Sequence, residues 1–529
     1  MTSFTGTGAL ARLALRLDRV RLPAWVLVIG LTPAATAAQY KKLYPDEHTI
    51  QQVAGVITNP SLVALNGPLF APTLGGLTAW KIGMTEFVLA ALMSLLTVVR
   101  HTRAEEETGR LELVRAGVVG RYAPLTAALL VTGLANLACA VLVALGLVGT
   151  GLPVTGSVAF GVAVGLVGLV FAAVAAAAAQ LTDSARSAVA IASAVLGAAY
   201  LLRAVGDTGP TWLTWLSPIG WAMRVRAFAG ERWWPLGVAV AGVAVLTVVA
   251  YTLVGRRDLG AGLLPQRHGP AQASPGLRSP LALAWRLHRG LLIGWLIGMA
   301  LSGAVLGGAA GAIGDAIGAN PQITDLMARL GGGRKALVDA YLAAVFGIVG
   351  LVAAVYTVQA TLRLRAEEAG GRVEPLLATP VGRIRWAASH LVVALLGTTV
   401  LLAVAGSAGG LGYGLQIHDV GGQTPRLLAA ALVQLPAAWV LAGLGAALFG
   451  LAPRLAAGLT WAGLGACLLL FEVGAMLGLS RWLVDASPFA HVPKLPGAAV
   501  TATPLLALTA ITVALIVAGL AGFRSRDLG

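Results

Sequence analysis

Arg103-Ala104-Glu105-Glu106-Glu107-Thr108-Gly109-Arg110-Leu111-Glu112 and Arg365-Ala366-Glu367-Glu368-Ala369-Gly370-Gly371-Arg372-Val373-Glu374 are one charged segment written twice, 262 residues apart. The copies continue to Val119-Gly120-Arg121 and Val381-Gly382-Arg383, and 11 of the 19 aligned positions are identical without a gap. Each copy leads from one long apolar run into the next. A fixed internal period has to be read before any single motif, because it defines the repeating unit. The unit here is a membrane domain with one charged insert, duplicated along the chain.

The surrounding composition is that of a chain dissolved in lipid. Of the 529 residues, 57% are hydrophobic and 11% charged, with a mean hydropathy of +0.83. Soluble domains carry roughly 25% charged residues. The 68 glycines suit membrane helices, which associate by close backbone approach. Cys139 and Cys467 both fall inside apolar runs and read as small inert fillers. A net charge of +15 in a soluble protein suggests nucleic acid; here the basic residues flank apolar spans and no nucleic-acid partner is expected.

A membrane helix needs about 20 apolar residues, and the chain offers twelve such runs. They lie near 23–39, 78–99, 123–148, 155–181, 187–204 and 236–255, then near 290–313, 340–360, 388–410, 427–451, 456–478 and 503–522. With the N-terminus in the cytoplasm, 24 of the 37 Lys and Arg fall on the inner side, and all 24 are arginines. The positive-inside rule favours that orientation. Both charged segments and both termini are then cytoplasmic. Arg12, Arg16, Arg19 and Arg21 before an apolar run and Ala35-Thr36-Ala37-Ala38 resemble a cleavable signal peptide. Against this, Arg16-Leu17-Asp18-Arg19 with Trp25 recurs as Arg286-Leu287-His288-Arg289 with Trp295 in mid-chain, so a retained span is expected. Leu10, Leu13 and Leu17 on one face, with Arg12, Arg16 and Arg19 on another, predict a short interfacial helix before it.

Further landmarks repeat. Asn59-Pro60 matches Asn320-Pro321, Ser217-Pro218 matches Ser487-Pro488, and Arg257-Asp258-Leu259-Gly260 matches Arg526-Asp527-Leu528-Gly529. Six spans per half give two parallel repeats of one orientation: residues 1–260 and 281–529, joined by a Pro-rich cytoplasmic linker, 261–280. The expected fold is an all-α polytopic membrane protein of twelve transmembrane helices.

No catalytic set is visible. His48, His101, His268, His288, His390, His418 and His491 lack ligand spacing, and neither paired carboxylates nor a Ser/His set marks the outer loops. Gly331-Gly332-Gly333-Arg334-Lys335 comes nearest to a phosphate-cradling loop, but it lacks the hydroxyl residue and falls on the outer side. The chain is not expected to hydrolyse ATP, to bind a metal or to hold a cofactor of its own.

Gly371-Arg372-Val373-Glu374-Pro375-Leu376-Leu377-Ala378-Thr379-Pro380-Val381 closely resembles the cytoplasmic segment of type 2 ABC exporter permeases, in which acidic residues precede Gly-x-Leu/Val-Glu-x-Leu-Leu-x-x-Pro. Gly109-Arg110-Leu111-Glu112-Leu113-Val114-Arg115-Ala116 is a degenerate first copy, with Val118 at the proline position. The six-span halves, the interfacial N-terminal helix and the broken outer segment before the last span extend the resemblance over the whole chain. Two fused halves with Arg-Asp-Leu ends look most like the permeases of actinobacterial polyketide-antibiotic exporters of the tetronasin-resistance type. The resemblance implies that Glu105, Glu106, Gly109, Arg110 and Glu112, with Glu367, Glu368, Gly371, Arg372, Glu374 and Pro380, form coupling helices that dock on a separate ABC ATPase. Two ATPase copies per chain would carry ATP and Mg. It implies an efflux permease of the bacterial plasma membrane, surrounded by lipid and moving an amphipathic small molecule by alternating access.

Read without the resemblance, the two segments suit short helices under the membrane. Gly109 and Gly371 offer a bend, and the carboxylates are available to arginines of a partner or of the chain itself. The bland alternative is a solvated loop whose charges pair among themselves. Charges inside spans are functional candidates because hydrocarbon penalises them. Lys81 and Arg203 lie near outer ends and are expected to snorkel, whereas Glu86 and Glu472 sit deeper and either line a substrate route or meet a structural partner. Trp212, Trp215, Trp221, Trp233 and Trp234 supply five of the 13 tryptophans in one outer segment. They read as an interfacial belt or, as the resemblance implies, with Pro218 and Pro488 as an outer gate. Two other classes remain open: a twelve-span secondary transporter driven by ion gradients through Glu86 and Glu472, and a membrane enzyme acting on lipid-linked substrates.

Overall fold

Apolar runs of this length leave the backbone no water to bond, so helices are the only open-ended solution in lipid. The computed structural model describes residues 3–57, 60–115, 117, 119–257, 262–263, 272–318, 334–473 and 481–527, and among them it is helical with no strand. The chain forms two compact units, Met1–Gly269 and Pro270–Gly529.

The first unit contains α1 (Thr7–Leu17), α2 (Arg21–Leu43), α3 (Glu47–Ile57), α4 (Pro60–Asn66), α5 (Leu74–His101), α6 (Arg103–Glu107), α7 (Arg110–Arg115), α8 (Ala123–Gly149), α9 (Val154–Leu181), α10 (Ala185–Thr208), α11 (Pro218–Met223) and α12 (Trp234–Arg256). The second contains α13 (Pro280–Gly318), α14 (Arg334–Thr361), α15 (Arg363–Ala369), α16 (Val373–Leu377), α17 (Arg383–Gln416), α18 (Val420–Leu432), α19 (Leu435–Leu451), α20 (Ala456–Val473), α21 (Arg481–Val484) and α22 (Ala502–Ser525). Side-chain caps fix several starts: Thr73 accepts from the Gly76 N–H at 3.1 Å and Ser184 from the Ser187 N–H at 3.2 Å.

Among the described residues, eleven helical stretches are long and apolar enough to cross a membrane, against the twelve read from the sequence. The shortfall is the run at 456–478. Its described apolar helix covers only Ala456–Leu470, and residues 474–480 lie outside the described residues. The run at 427–451 belongs to a longer stretch, Val420–Leu451, interrupted between α18 and α19 where Pro436 opens the second helix. The short helix expected before the first span forms as α1. Its counterpart in the second unit does not separate from the following span, because α13 is continuous.

Packing partners correspond between the units. In the first, α2 packs on α8, α5 on α9 and α12 on α9; in the second, α13 packs on α17, α14 on α19 and α22 on α19. Small residues allow this closeness: a Cβ on Gly307 would run into the Gly409 carbonyl oxygen, and one on Gly519 into that of Ala446. A polar bond joins the second and third long helices inside each unit. Asn136 Nδ2 donates to Ser94 Oγ at 2.8 Å, and Thr398, 262 residues on, meets Thr357 at 2.7 Å.

Candidate functional site

The repeated charged segments fold alike. In each, a short helix (α6 or α15) turns through a left-handed glycine, Gly109 at φ 72° and Gly371 at φ 67°, into a second short helix (α7 or α16). The Gly109 N–H donates to the Glu106 carbonyl at 3.0 Å and the Gly371 N–H to that of Glu368 at 2.9 Å. A Cβ at either glycine would meet nothing within 4 Å, so the demand is on the backbone angle alone.

Most carboxylates of these segments are turned inward. Arg110 Nη1 lies 3.2 Å from Glu105, and the matching Arg372 Nε lies 2.6 Å from Glu367, which Arg363 also approaches at 3.3 Å. Glu106 pairs with Arg103 and Glu368 with Arg365, the latter at 3.1 Å. Glu107 accepts the Ala185 N–H at 3.0 Å, fixing the segment to the start of α10. The chain's own arginines therefore take the carboxylates, yet the segment is no plain solvated loop: Arg103 and Glu367 are buried. Glu112 and Glu374 differ. Each lies in the first turn of its short helix and is exposed, and Glu374 stands in an exposed patch with Pro375, Ala378, Thr379 and Pro380.

The terminal tetrapeptides reach the same place. Arg257 sets Nη1 2.9 Å from Glu106 Oε2 and Nη2 2.5 Å from Oε1. Arg526 sets Nη1 2.7 Å from Glu368 Oε1 and Nη2 2.9 Å from Oε2. Arg121 Nη2 donates to the Arg257 carbonyl at 2.9 Å, and Arg383 Nη1 to the Arg526 carbonyl at 2.6 Å. The sequence held a signal for this, an arginine at the same place in both tetrapeptides, but not its partner. Asp18 is a second residue passed over. It is buried between Arg100 Nε at 3.1 Å and His101 Nε2 at 2.6 Å, tying the end of α1 to the end of α5. At the matching position His288 Nε2 lies instead 3.0 Å from His390 Nδ1.

The charges within spans divide. Lys81 is exposed on α5, whereas Glu86 on the same helix is 0% exposed, and neither of its oxygens has a hydrogen-bond partner. Among the described residues, Glu86 is thus closed off from the surface of its unit and unpaired inside it. The Glu472 side chain lies outside the described residues. Arg203 corrects the expectation of snorkelling: it is fully buried, donates to the Val63 carbonyl at 3.3 Å and the Leu65 carbonyl at 3.1 Å, and faces Asp207 at 3.7 Å. Asp207 also binds Arg224 at 3.1 Å and accepts the Thr214 hydroxyl at 3.1 Å. An acceptor one helical turn away and two carbonyls at the end of α4 make burial cheaper than reaching for water.

The tryptophan-rich segment is a 3₁₀ turn (Thr211–Leu216) broken into α11 at Ser217-Pro218. Ser217 caps α11 from the Gly220 N–H at 3.2 Å and donates to the Ala199 carbonyl at 2.7 Å. Trp215 stacks on Trp234 at 4.8 Å and accepts the Trp221 indole N–H on its carbonyl at 2.6 Å, while Trp212, Trp233 and Trp234 stay exposed. Phe228, at φ 63°, lays its ring on Gly75 and Gly156 and so holds the segment against α5 and α9. In the second unit Pro488 opens a 3₁₀ turn ending at His491.

Two comparisons bear on this arrangement. Residues 277–524 match the family model described as multidrug efflux system permease Rv1217c, C-terminal domain. The whole chain is 47% identical over 530 residues to the multidrug efflux system permease protein Rv1217c of Mycobacterium tuberculosis (strain ATCC 25618 / H37Rv), covering 100% of this chain and 96% of that protein. Identity of that extent along both halves means that the chain belongs to the Rv1217c family of multidrug efflux permeases.

Proposed function

We propose that this chain is the membrane permease subunit of an ATP-driven exporter that moves amphipathic compounds, antibiotics among them, out of the cytoplasm or the inner leaflet. It resembles the fused permeases of polyketide-antibiotic exporters. In this reading it has two six-span halves with both termini in the cytoplasm. The segments from Glu105 to Glu112 and from Glu367 to Pro380 are its coupling elements. ATP and Mg belong to a separate ABC ATPase, of which two copies dock on one permease chain, one per segment. Glu86, Glu472 and Lys81 are candidates for the substrate route, and the elements around Trp215, Pro218, Trp221 and Pro488 for an outer gate.

The observation that carries this is the exposed pair Glu112 and Glu374, presented identically by two copies of one helix–glycine–helix segment. A chain that satisfies its other segment carboxylates internally leaves these two turned outward. Docking to an arginine-bearing partner explains that better than solubility does, because charge-assisted bonds to such a partner are among the stronger contacts available.

Purifying the chain with its co-expressed ATPase tests the reading. The mass should fit one 53.6 kDa permease with two ATPase subunits. Glu374→Ala and Glu112→Ala should leave the permease folded and weaken that complex, with Glu374 mattering more. Transport that continues after ATP depletion but stops on collapsing the proton gradient would reject the reading in favour of a secondary transporter.

A further inference from the structure

The inner end of each unit's last helix is fastened to the charged segment by four residues that occur twice. They are Arg103, Glu106, Arg121 and Arg257 in the first unit and Arg365, Glu368, Arg383 and Arg526 in the second. Three of the four are 262 residues apart, but Arg257 and Arg526 are 269 apart, since 526 − 257 = 269. The halves thus differ by seven residues in intervening length, and the fork still closes on the equivalent carboxylate. A contact that survives such a shift is held by the fold and not by chain spacing.

The fork is two-pronged and sheltered. The two terminal nitrogens of each guanidinium each reach one of the two carboxylate oxygens, the geometry that fixes orientation as well as distance. Side-chain exposure is 8% and 6% for Arg257 with Glu106, and 16% and 6% for Arg526 with Glu368. Each arginine also touches the end of the fourth long helix of its unit. Arg257 Nε donates to Gln180 Oε1 of α9 at 2.6 Å, whereas Arg526 lies over the rings of Phe449 of α19 and Phe523 of α22, at 5.1 and 5.2 Å. The fork is common to both units, and what backs it differs. Arg121 and Arg383 close the arrangement from the start of the third long helix by holding the carbonyl of the same arginine. Segment, third, fourth and last helices therefore meet at one guanidinium.

We propose that Arg257 and Arg526 are positioning residues for transport: each locks the inner end of its last span to the segment bearing Glu112 or Glu374, so that segment and span are displaced as one body. This rests on the exporter reading above, and it adds which helix answers first when a partner pushes the segment. α12 and α22, rather than only the helices directly continuous with the segment, become the driven elements.

The test uses the full permease–ATPase complex in vesicles, reading cationic dye moved per ATP hydrolysed, with hydrogen exchange on the same samples. Arg526→Ala should lower dye per ATP about tenfold, the effect of ~1.4 kcal/mol of lost coupling, while ATP hydrolysis continues. The swapped pair Glu368→Arg with Arg526→Glu should recover most of it. Since the alanine variant risks misfolding, a second arm replaces Cys139 and Cys467 and introduces Glu368→Cys with Arg526→Cys. Joining the new thiols with a short reducible bis-thiosulfonate should raise dye per ATP, and reductant should reverse the gain. A crosslink that stops transport would overturn the proposal, as the tie would then have to open in each cycle. Unchanged dye per ATP in folded Arg526→Ala would overturn it equally. Hydrogen exchange separates this failure from failure of the exporter reading: Arg526→Ala should quicken exchange in 365–374 and 518–527 together, whether or not ATP drives transport. Quickening in one stretch only would show that there is no common body.

Discussion

At the scale of single residues, the backbone angle at Gly371 and the company of each buried charge decide the consequences of change. Gly371 sits at φ 67° with open space where a Cβ would go, so Gly371→Ala carries only the left-handed penalty, about 1–2 kcal/mol. The expected outcome is a folded permease whose 365–377 stretch exchanges amide hydrogen faster, seen by mass spectrometry; Gly370→Ala should not reproduce that backbone effect. Arg203 and Glu86 form an instructive contrast. Arg203 is buried with Asp207 and two carbonyls, and breaking a buried pair by removing one partner costs about 3–5 kcal/mol. Glu86 is buried with no hydrogen-bond partner to strand, so an amide of the same shape leaves nothing newly unsatisfied. In detergent, Arg203→Met should melt several degrees below the parent, whereas Glu86→Gln should melt at or above it. The reverse order would mean that Glu86 carries the structural load.

At the scale of elements, the units are held by close backbone approach and by a few interior polar bonds, since hydrocarbon supplies no hydrophobic force between helices. α13 lies so near α17 that Gly303 and Gly307 have no room for a side chain. Gly307→Leu should force the pair apart at a cost of about 1–3 kcal/mol or more, as overpacking does. The readout is a lower yield of monodisperse protein, with Gly298→Leu as control because nothing lies within 4 Å of its Cβ position. Equal yields would show that α13 does not need its glycine face. The helices themselves were legible beforehand, as apolar length and caps are local: the run at 155–181 became Val154–Leu181 and that at 123–148 became Ala123–Gly149. The break at α18 and α19 was not read, since hydropathy alone joins the run at 427–451, although Pro436 inside that run is the residue that signals a new helix start.

At the scale of the whole molecule, the proposed topology makes a sided claim. Glu374 and Thr211 are both exposed, one on a charged segment and one on the tryptophan-rich segment. In intact cells, a membrane-impermeant thiol reagent should label Thr211→Cys and leave Glu374→Cys untouched, and inside-out vesicles should invert the result. Labelling of both from one side would reject the six-span half. The basic excess of +15 also belongs to this scale: in the proposed topology the arginines gather at inner span ends and act as a sided charge, not as a ligand site.

The sequence by itself determined the repeated charged segment, most helix positions and the two glycine bends, because each is a one-dimensional property. A span is an apolar length matched to lipid, a repeat is an identity at fixed spacing, and a bend needs a residue without a Cβ. Tertiary structure alone decided which charges meet. Arg257 finds Glu106 across 151 residues and Arg526 finds Glu368 across 158, and Asp18 finds His101 across 83. Inside a low-dielectric bundle an ionised side chain is stabilised by a partner, but nothing in the spacing of residues says which, and helix packing makes that choice.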